Sequence, residues 1–355
     1  MQVVSNNAAS PATPANPTRV WFNRAFSSVY TAISLIRQAD RDQRYHLIYS
    51  HVAVAPAGQV AHQFELEPTG LKGDEYVDWC LAFCRQHAVD IFVTGKEARL
   101  IIAAGDRFAA LGVRVLSAGS ADTLQLLHDK ARFYATVDCP QAPPPATIAV
   151  HTVAEFDAAY AALRGRYPKL CIKPSQSIYG LGFAVIDEQR SCAELLIAGV
   201  QYHIGLADLR AGLALLPEFR TMLVMEYLEG REYSVDCVGD HGRLMAAVPR
   251  KKPQSSAATG QRIDLHADIL AACATLTANY GLNGCFNVQF RETGDQPRLL
   301  EINPRMSGGI SMACAAGPNL PYIALAGFDQ GFEQVEIAPV RNGARVTEVS
   351  IAMEL

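Results

Sequence analysis

The stretch Leu299-Leu300-Glu301-Ile302-Asn303-Pro304-Arg305-Met306-Ser307-Gly308-Gly309-Ile310 decides how the rest of the chain is read. Glu301 and Asn303 stand two apart in an apolar run, so on a strand both project from one face while Leu300 and Ile302 turn to the core. Upstream, Phe286 to Glu292 also alternates, and Thr293-Gly294-Asp295-Gln296-Pro297 is a turn cluster between the two runs, which makes a hairpin. If Glu292 pairs with Arg298, then Gln289 pairs with Glu301, and cross-strand neighbours lie roughly 5 Å apart. One carboxylate and two amide oxygens, from Glu301, Gln289 and Asn303, then converge on a hard cation such as Mg2+, with phosphate oxygens and water as its remaining ligands. The competing account is an ordinary hairpin with a solvated polar face. Against it, Pro304 stops the ladder, the glycines permit close backbone approach, and Arg305 is delivered beside the metal face, as polyphosphate binding requires.

The Glu-x-Asn-Pro-Arg pattern at Glu301 to Arg305 resembles the metal-binding strand of the ATP-grasp superfamily, and the resemblance runs from about Thr18 to the C-terminus. It implies an α/β chain with the ATP-grasp fold: an N-terminal Rossmann-like pre-ATP-grasp lobe, then two α+β lobes clasping the nucleotide. The boundaries that follow are a Pro/Ala-rich disordered tail over 1–17, the pre-ATP-grasp lobe over 18–119, a small lobe with linker helix and lid loop over 120–228, and a large lobe with the metal site over 229–355.

Composition agrees with a multi-lobed globular protein. Half of the 355 residues are hydrophobic and 19% are charged, too long a chain for one compact core. A net charge of −4 gives no general attraction to nucleic acid or anionic lipid, so the expected partners are small molecules. No apolar stretch approaches the roughly 20 residues needed to span a bilayer, and Met1 to Pro17 lacks the apolar core of a signal peptide, so a cytoplasmic protein is expected. The nine cysteines are scattered as thiols of a reducing compartment, with Cys80 and Cys84 read as small buried residues rather than a metal pair.

From Arg19 the chain reads strand (Arg19 to Phe22), helix (Val29 to Ala39), strand (Tyr45 to Ser50), and then alternates helix and strand to Leu116, a parallel lobe. The first strand-to-helix turn, Asn23 to Ser28, has no glycine, which excludes a dinucleotide-binding fingerprint. Within it, Arg24 and Ser27 either touch a substrate or cap the helix. Ser120 to Val137 is helical in pattern and carries Asp129-Lys130 followed by an aromatic pair; Pro140 and Pro143-Pro144-Pro145 then mark a boundary. Lys173 ends an apolar strand, and Ser175 to Gly182 is a small-residue hairpin loop able to offer backbone N–H groups to phosphate. The strand Thr221 to Met225 breaks at Leu228 and Gly230 and resumes toward Asp236. Arg243 to Val248 delivers Arg250, Lys251 and Lys252, and Arg345 to Ile351 is a last strand.

The resemblance assigns roles to these positions. Lys130 and Lys173 face the nucleotide phosphates, Ser177 and Gly180 belong to the lid loop, Glu226, Tyr227 and Leu228 bracket adenine, and Glu232 accepts from the ribose. Against this, at least one of Glu226 and Glu229 is read as a plain solvated charge. Arg250 faces the transferred phosphate and acts in catalysis with Arg305, while Gln289, Glu301 and Asn303 hold Mg2+, with Mn2+ as an alternative ion. Many relatives have a carboxylate where Gln289 stands; the carbamoyl phosphate synthetase branch is similar in having glutamine. The implied activity is ADP-forming carboxylate–amine ligation through an acylphosphate, on small-molecule carboxylate and amine substrates, without nucleic acid or membrane and compatible with a homodimer. The alternatives are an ATP-grasp kinase, a thiol or carbamate ligase, or an inactive nucleotide-binding regulator.

Overall fold

The computed structural model describes residues 16–25, 28–177, 181–254, 259–294 and 296–354. Most of the expected tail, together with Ser27 and Gly180, lies outside them. The first sheet is wholly parallel, with order β3-β2-β1-β4-β5 built from β1 (Thr18–Phe22), β2 (Tyr45–His51), β3 (Gln63–Leu66), β4 (Ile91–Val93) and β5 (Arg114–Leu116). Chain order reverses between β1 and β4, so the crevice beyond their C-terminal ends opens there. Asn23 locks that rim: its amide donates to the Tyr76 hydroxyl and the Lys96 carbonyl and accepts from Gly95 N–H at 2.6 Å. Gly95 admits this approach because a Cβ there would meet the Arg24 carbonyl at 2.6 Å.

The second sheet has order β6-β10-β7-β8-β9, from β6 (Thr147–Val150), β7 (Leu170–Pro174), β8 (Ala184–Asp187), β9 (His203–Gly205) and β10 (Met222–Glu226). The third runs β15-β14-β11-β12-β13-β16, from β11 (Glu232–Asp240), β12 (Arg243–Lys251), β13 (Gln261–Ile263), β14 (Gly284–Thr293), β15 (Gln296–Asn303) and β16 (Arg345–Val346), all antiparallel. One face of this sheet packs Tyr233, Val235, Phe286, Val288 and Phe290 on the helix Ala267–Asn279, whose Ile269, Ala272, Cys273 and Leu276 are fully buried. On the opposite face Val238, Val248 and Ile263 pack with the helices Ile310–Cys314 and Leu320–Gln330, while Ser234, Asp236, Asn287 and Gln289 supply its polar side chains.

Three local expectations change. The single helix over Ser120 to Val137 is two, Ala121–His128 and Lys130–Thr136, because the Asp129 carboxylate caps the second by accepting from Ala131 and Arg132 N–H. Lys130 therefore opens a helix instead of lying within one. The last strand stops at Val346, where pairing with β13 ends, although the pattern continues to Ile351. In the hairpin, Thr293 belongs to β14 and Gln296 and Pro297 to β15 rather than to the turn. Cys80 and Cys84 are buried as read, and burial pushes the Cys84 thiol up to about 12. Among the described residues no helix is long and apolar enough to cross a membrane.

Candidate active site

Gln289 pairs with Glu301 and Asn287 with Asn303 across β14 and β15. Beyond Gln289 the register shifts by one: Phe290 faces Leu299, Arg291 faces Arg298, and Glu292 faces Pro297 instead of Arg298. Leu300 is the extra residue of a β-bulge, so Leu299 and Ile302 fill the core while Leu300 is only half-buried and lines the cavity below. The bulge keeps Glu301 and Asn303 on the polar face after a pairing that would otherwise turn them inward.

All three lobes enclose a cavity of about 1440 Å³. Lys130, Lys173, Ser177, Glu226, Tyr227, Leu228, Glu232, Gln289, Glu301, Asn303 and Arg305 line it, joined by Arg24, Lys96 and Arg99 from the N-terminal lobe. Lys130 is buried, with Nζ 3.7 Å from Glu301 Oε2 and donating to the Ser177 carbonyl at 3.1 Å. Burial holds its ammonium below the usual lysine range, Lys173 and Arg305 push the same way, and Glu301 opposes them. Burial likewise lowers Lys173, again opposed by Glu301. Asn303 donates to Glu301 at 2.9 Å and accepts from Arg305 at 3.4 Å.

Tyr134, the second member of the aromatic pair after Lys130, was given no role by the sequence. Its hydroxyl accepts from Lys173 Nζ at 3.0 Å and donates to the Leu300 carbonyl at the bulge, joining the helix Lys130–Thr136 to β7 and β15. Tyr134→Phe leaves that carbonyl and ammonium without these partners and should cost about 1–3 kcal/mol of stability. Urea unfolding checks this, and a loss under about 0.5 kcal/mol, the level of an ordinary surface change, would show that water replaces the hydroxyl.

The residues read as flanking adenine and ribose are more heavily engaged than the sequence suggested. Glu226 is buried and takes Arg298 at 2.9 Å and the Ala146 N–H at 3.3 Å, while Arg298 also donates to the Pro143 and Pro144 carbonyls. Glu229 is the solvated one, paired with exposed Lys169. The Tyr227 N–H goes to the Lys169 carbonyl, and the Leu228 carbonyl accepts from Arg291 at 2.9 Å. Glu232 bridges Lys252 at 2.6 Å and Arg291 at 3.5 Å.

Arg250 departs most from its reading. It is 2% exposed and lies behind the cavity wall, donating to Asp236 at 2.8 and 2.9 Å, Ser234 and Ser307 at 3.1 Å and Gln261 at 2.5 Å. An arginine so committed supports its neighbours, and its guanidinium is not among the groups that line the cavity. Arg24 caps nothing: a guanidinium has no acceptor for helix N–H groups, and it pairs with buried Glu67 at 3.4 Å.

Could the polar face hold a metal? Among the described residues no group of three or more His, Cys, Asp and Glu side chains could do so. A site here must use amide oxygens beside the Glu301 carboxylate, which suits a hard oxygen-seeking cation and not zinc. One carboxylate against Lys130, Lys173 and Arg305 leaves the wall positive, so the residues fit an ion that arrives already neutralised by phosphates.

A parallel N-terminal sheet followed by two clasping α+β lobes, with lysines from the linker and lid strand opposite a Gln/Glu/Asn hairpin, defines the class: the chain has the ATP-grasp fold. The family model described as "ATP-grasp in the biosynthetic pathway with Ter operon" matches residues 218–352. Carnosine synthase 1 of Mus musculus is 41% identical over 98 residues, 24% of this chain and 12% of that protein. Phosphoribosylamine–glycine ligase of Xanthomonas axonopodis pv. citri is 29% identical over 214 residues, 59% of this chain and 46% of its own. The chain thus spans less than half the length of either relative. The N5-carboxyaminoimidazole synthetase of Staphylococcus aureus complexed with ADP superposes with a TM-score of 0.61 at 15% identity, covering 87% of this chain and 77% of that one.

Proposed function

We propose that this chain is an ADP-forming ligase that activates a substrate carboxylate as an acylphosphate and joins it to an amine. The single observation that carries the reading is the convergence, in one cavity, of Lys130 and Lys173 with the Gln289, Glu301, Asn303 and Arg305 wall. Arg24, Lys96 and Arg99 at its other end suit an anionic substrate. The relatives named as synthase and ligase support the same class.

In this reading Glu226, Tyr227 and Leu228 flank the adenine, Glu232 meets the ribose, and Lys130, Lys173 and the Ser177 segment, with Gly180 beyond it, hold the phosphates. Gln289, Glu301 and Asn303 would hold Mg2+, or Mn2+, which would neutralise charge on the β- and γ-phosphates. The substrate carboxylate oxygen attacks the γ-phosphorus and the bond to the β–γ bridging oxygen breaks, leaving ADP. Lys130, Lys173 and Arg305 offset the negative charge gathered there, which is what phosphoryl transfer chiefly demands of a protein. The amine nitrogen then attacks the acyl carbon, phosphate departs with the C–O electron pair, and the nitrogen gives up a proton. The cytoplasm, with its ATP and reduced thiols, is the compartment that fits.

Incubation with ATP, Mg2+ and a panel of amino acids and other carboxylates, with product analysis, tests this. ADP and phosphate should form in equal amounts only when a carboxylate and an amine are both present. AMP and pyrophosphate would point to adenylation, and tight ATP binding without turnover across the panel would favour the regulatory reading.

A further inference from the structure

Among the described residues, five buried side-chain polar atoms lack a hydrogen-bond partner, and Asn287 Oδ1 is one of them. Buried polar atoms are nearly always paired, so an orphan at a cavity wall asks for a reason. Asn287 is 1% exposed and lines the cavity. Its amide cannot be turned round. Nδ2 donates to Ser234 Oγ at 3.0 Å, the Val235 carbonyl at 3.1 Å and Asp236 Oδ1 at 3.1 Å. The last two only accept, so a flip would set oxygen against oxygen.

Asp236 is itself fixed, its other oxygen taking both contacts from Arg250, and Arg250 is held in turn by Ser234, Ser307 and Gln261. A chain of buried, mutually satisfied groups thus ends on one unsatisfied oxygen. That oxygen belongs to a regular patch of sheet: Asn287 faces Asn303, Gln289 faces Glu301, and the bulge begins only beyond Gln289. Asn287 and Gln289, two apart on β14, share a face. Four oxygen-bearing side chains therefore stand at the corners of one rectangle, three of them already read as cation ligands.

We propose that Asn287 Oδ1 is a further oxygen ligand of the divalent cation taken up with nucleotide, and that Arg250, acting through Asp236, is the positioning residue that aims it. The proposal rests on the nucleotide-and-metal reading above. It also gives Arg250 a part that its buried position permits.

The test is electron–nuclear double resonance on full-length protein with ADP and Mn2+, carrying 13C in the asparagine side-chain carbonyl. Wild type should show two inequivalent 13C couplings, from Asn287 and Asn303. Asn303→Ala should retain one, and Asn287→Ser should lose one. Arg250→Lys should weaken Mn2+ binding in the presence of ADP by about 10-fold or more, as outer-shell changes do, and alter the Asn287 coupling, which a purely structural role would not move. Wild type and Asn287→Ser showing the same couplings, whether one or two, overturns the proposal and leaves the metal reading intact. No Mn2+ bound by wild type with ADP overturns both.

Discussion

Glu301→Gln should lower kcat by about 100- to 1000-fold, the scale of losing one preorganised charge-stabilising group, or about 3–4 kcal/mol. Folding should lose far less. The Lys130–Glu301 contact is long at 3.7 Å, Glu301 is partly exposed, and Lys130 keeps the Ser177 carbonyl, so about 1 kcal/mol is the expected cost. The asymmetry follows from charge. Glu301 is the only carboxylate among the four corners of the hairpin patch, facing Gln289 directly, and in a partly desolvated cleft a removed charge is least screened. Steady-state ADP release at saturating Mg2+ against thermal unfolding of the same sample decides it. A kcat within about fivefold of wild type, far short of that scale, would remove Glu301 from the metal site. Gln289→Glu is the converse change and should tighten Mn2+ binding with ADP present; weaker binding would place Gln289 away from the ion.

Lys130→Met and Lys173→Met should each weaken ADP binding by about 30-fold or more, corresponding to the roughly 2–5 kcal/mol lost when one partner of a buried charge pair is truncated. Neither should weaken the fold through the lost ammonium. Burial lowers the pKa of both lysines in the folded protein below their unfolded value. Between the lowered folded value and the ordinary lysine value, the unfolded chain binds more protons than the folded one. Their contribution to stability therefore rises with pH across that window, and the penalty for burying the charge is fully present below it. Nucleotide binding runs the opposite way, because phosphate needs the charged form: affinity should decline with rising pH before the ordinary lysine range near about 10.4 is reached. Calorimetric titration of ADP from neutral to alkaline pH reads the limb. Lys130→Met should remove part of it, and a flat profile in wild type would show that the lysines do not meet phosphate.

Much of the site was legible because period-two alternation fixes which side chains share a face without any knowledge of the fold. Glu301, Asn303 and Gln289 followed from that rule, and so would Asn287, which has the same parity as Gln289 on the same strand and was passed over. Lys130 and Lys173 were given their phosphate roles by the resemblance, on an Asp-Lys pair before a proline boundary and a lysine at the end of an apolar strand. The helix Val29–Ala39 was readable to the residue, since its apolar spacing faces one core. The break at Asp129 was not, because a carboxylate that caps a new helix and one that merely ends a turn look alike in a linear pattern.

By itself, then, the sequence determined the order of the lobes, the faces of the strands and the identity of most groups in the cavity. Only the tertiary structure decided how buried charge is matched: Arg250 with Asp236, Arg298 with Glu226, Lys173 with the Tyr134 hydroxyl. It also placed the one-residue slip at Leu300 that keeps Glu301 and Asn303 on the working face. The physical reason is range. Alternation is a property of neighbouring peptides, whereas the partner of a desolvated charge is whichever opposite group the fold brings within about 3 Å, and for Arg298 that group lies 72 positions away.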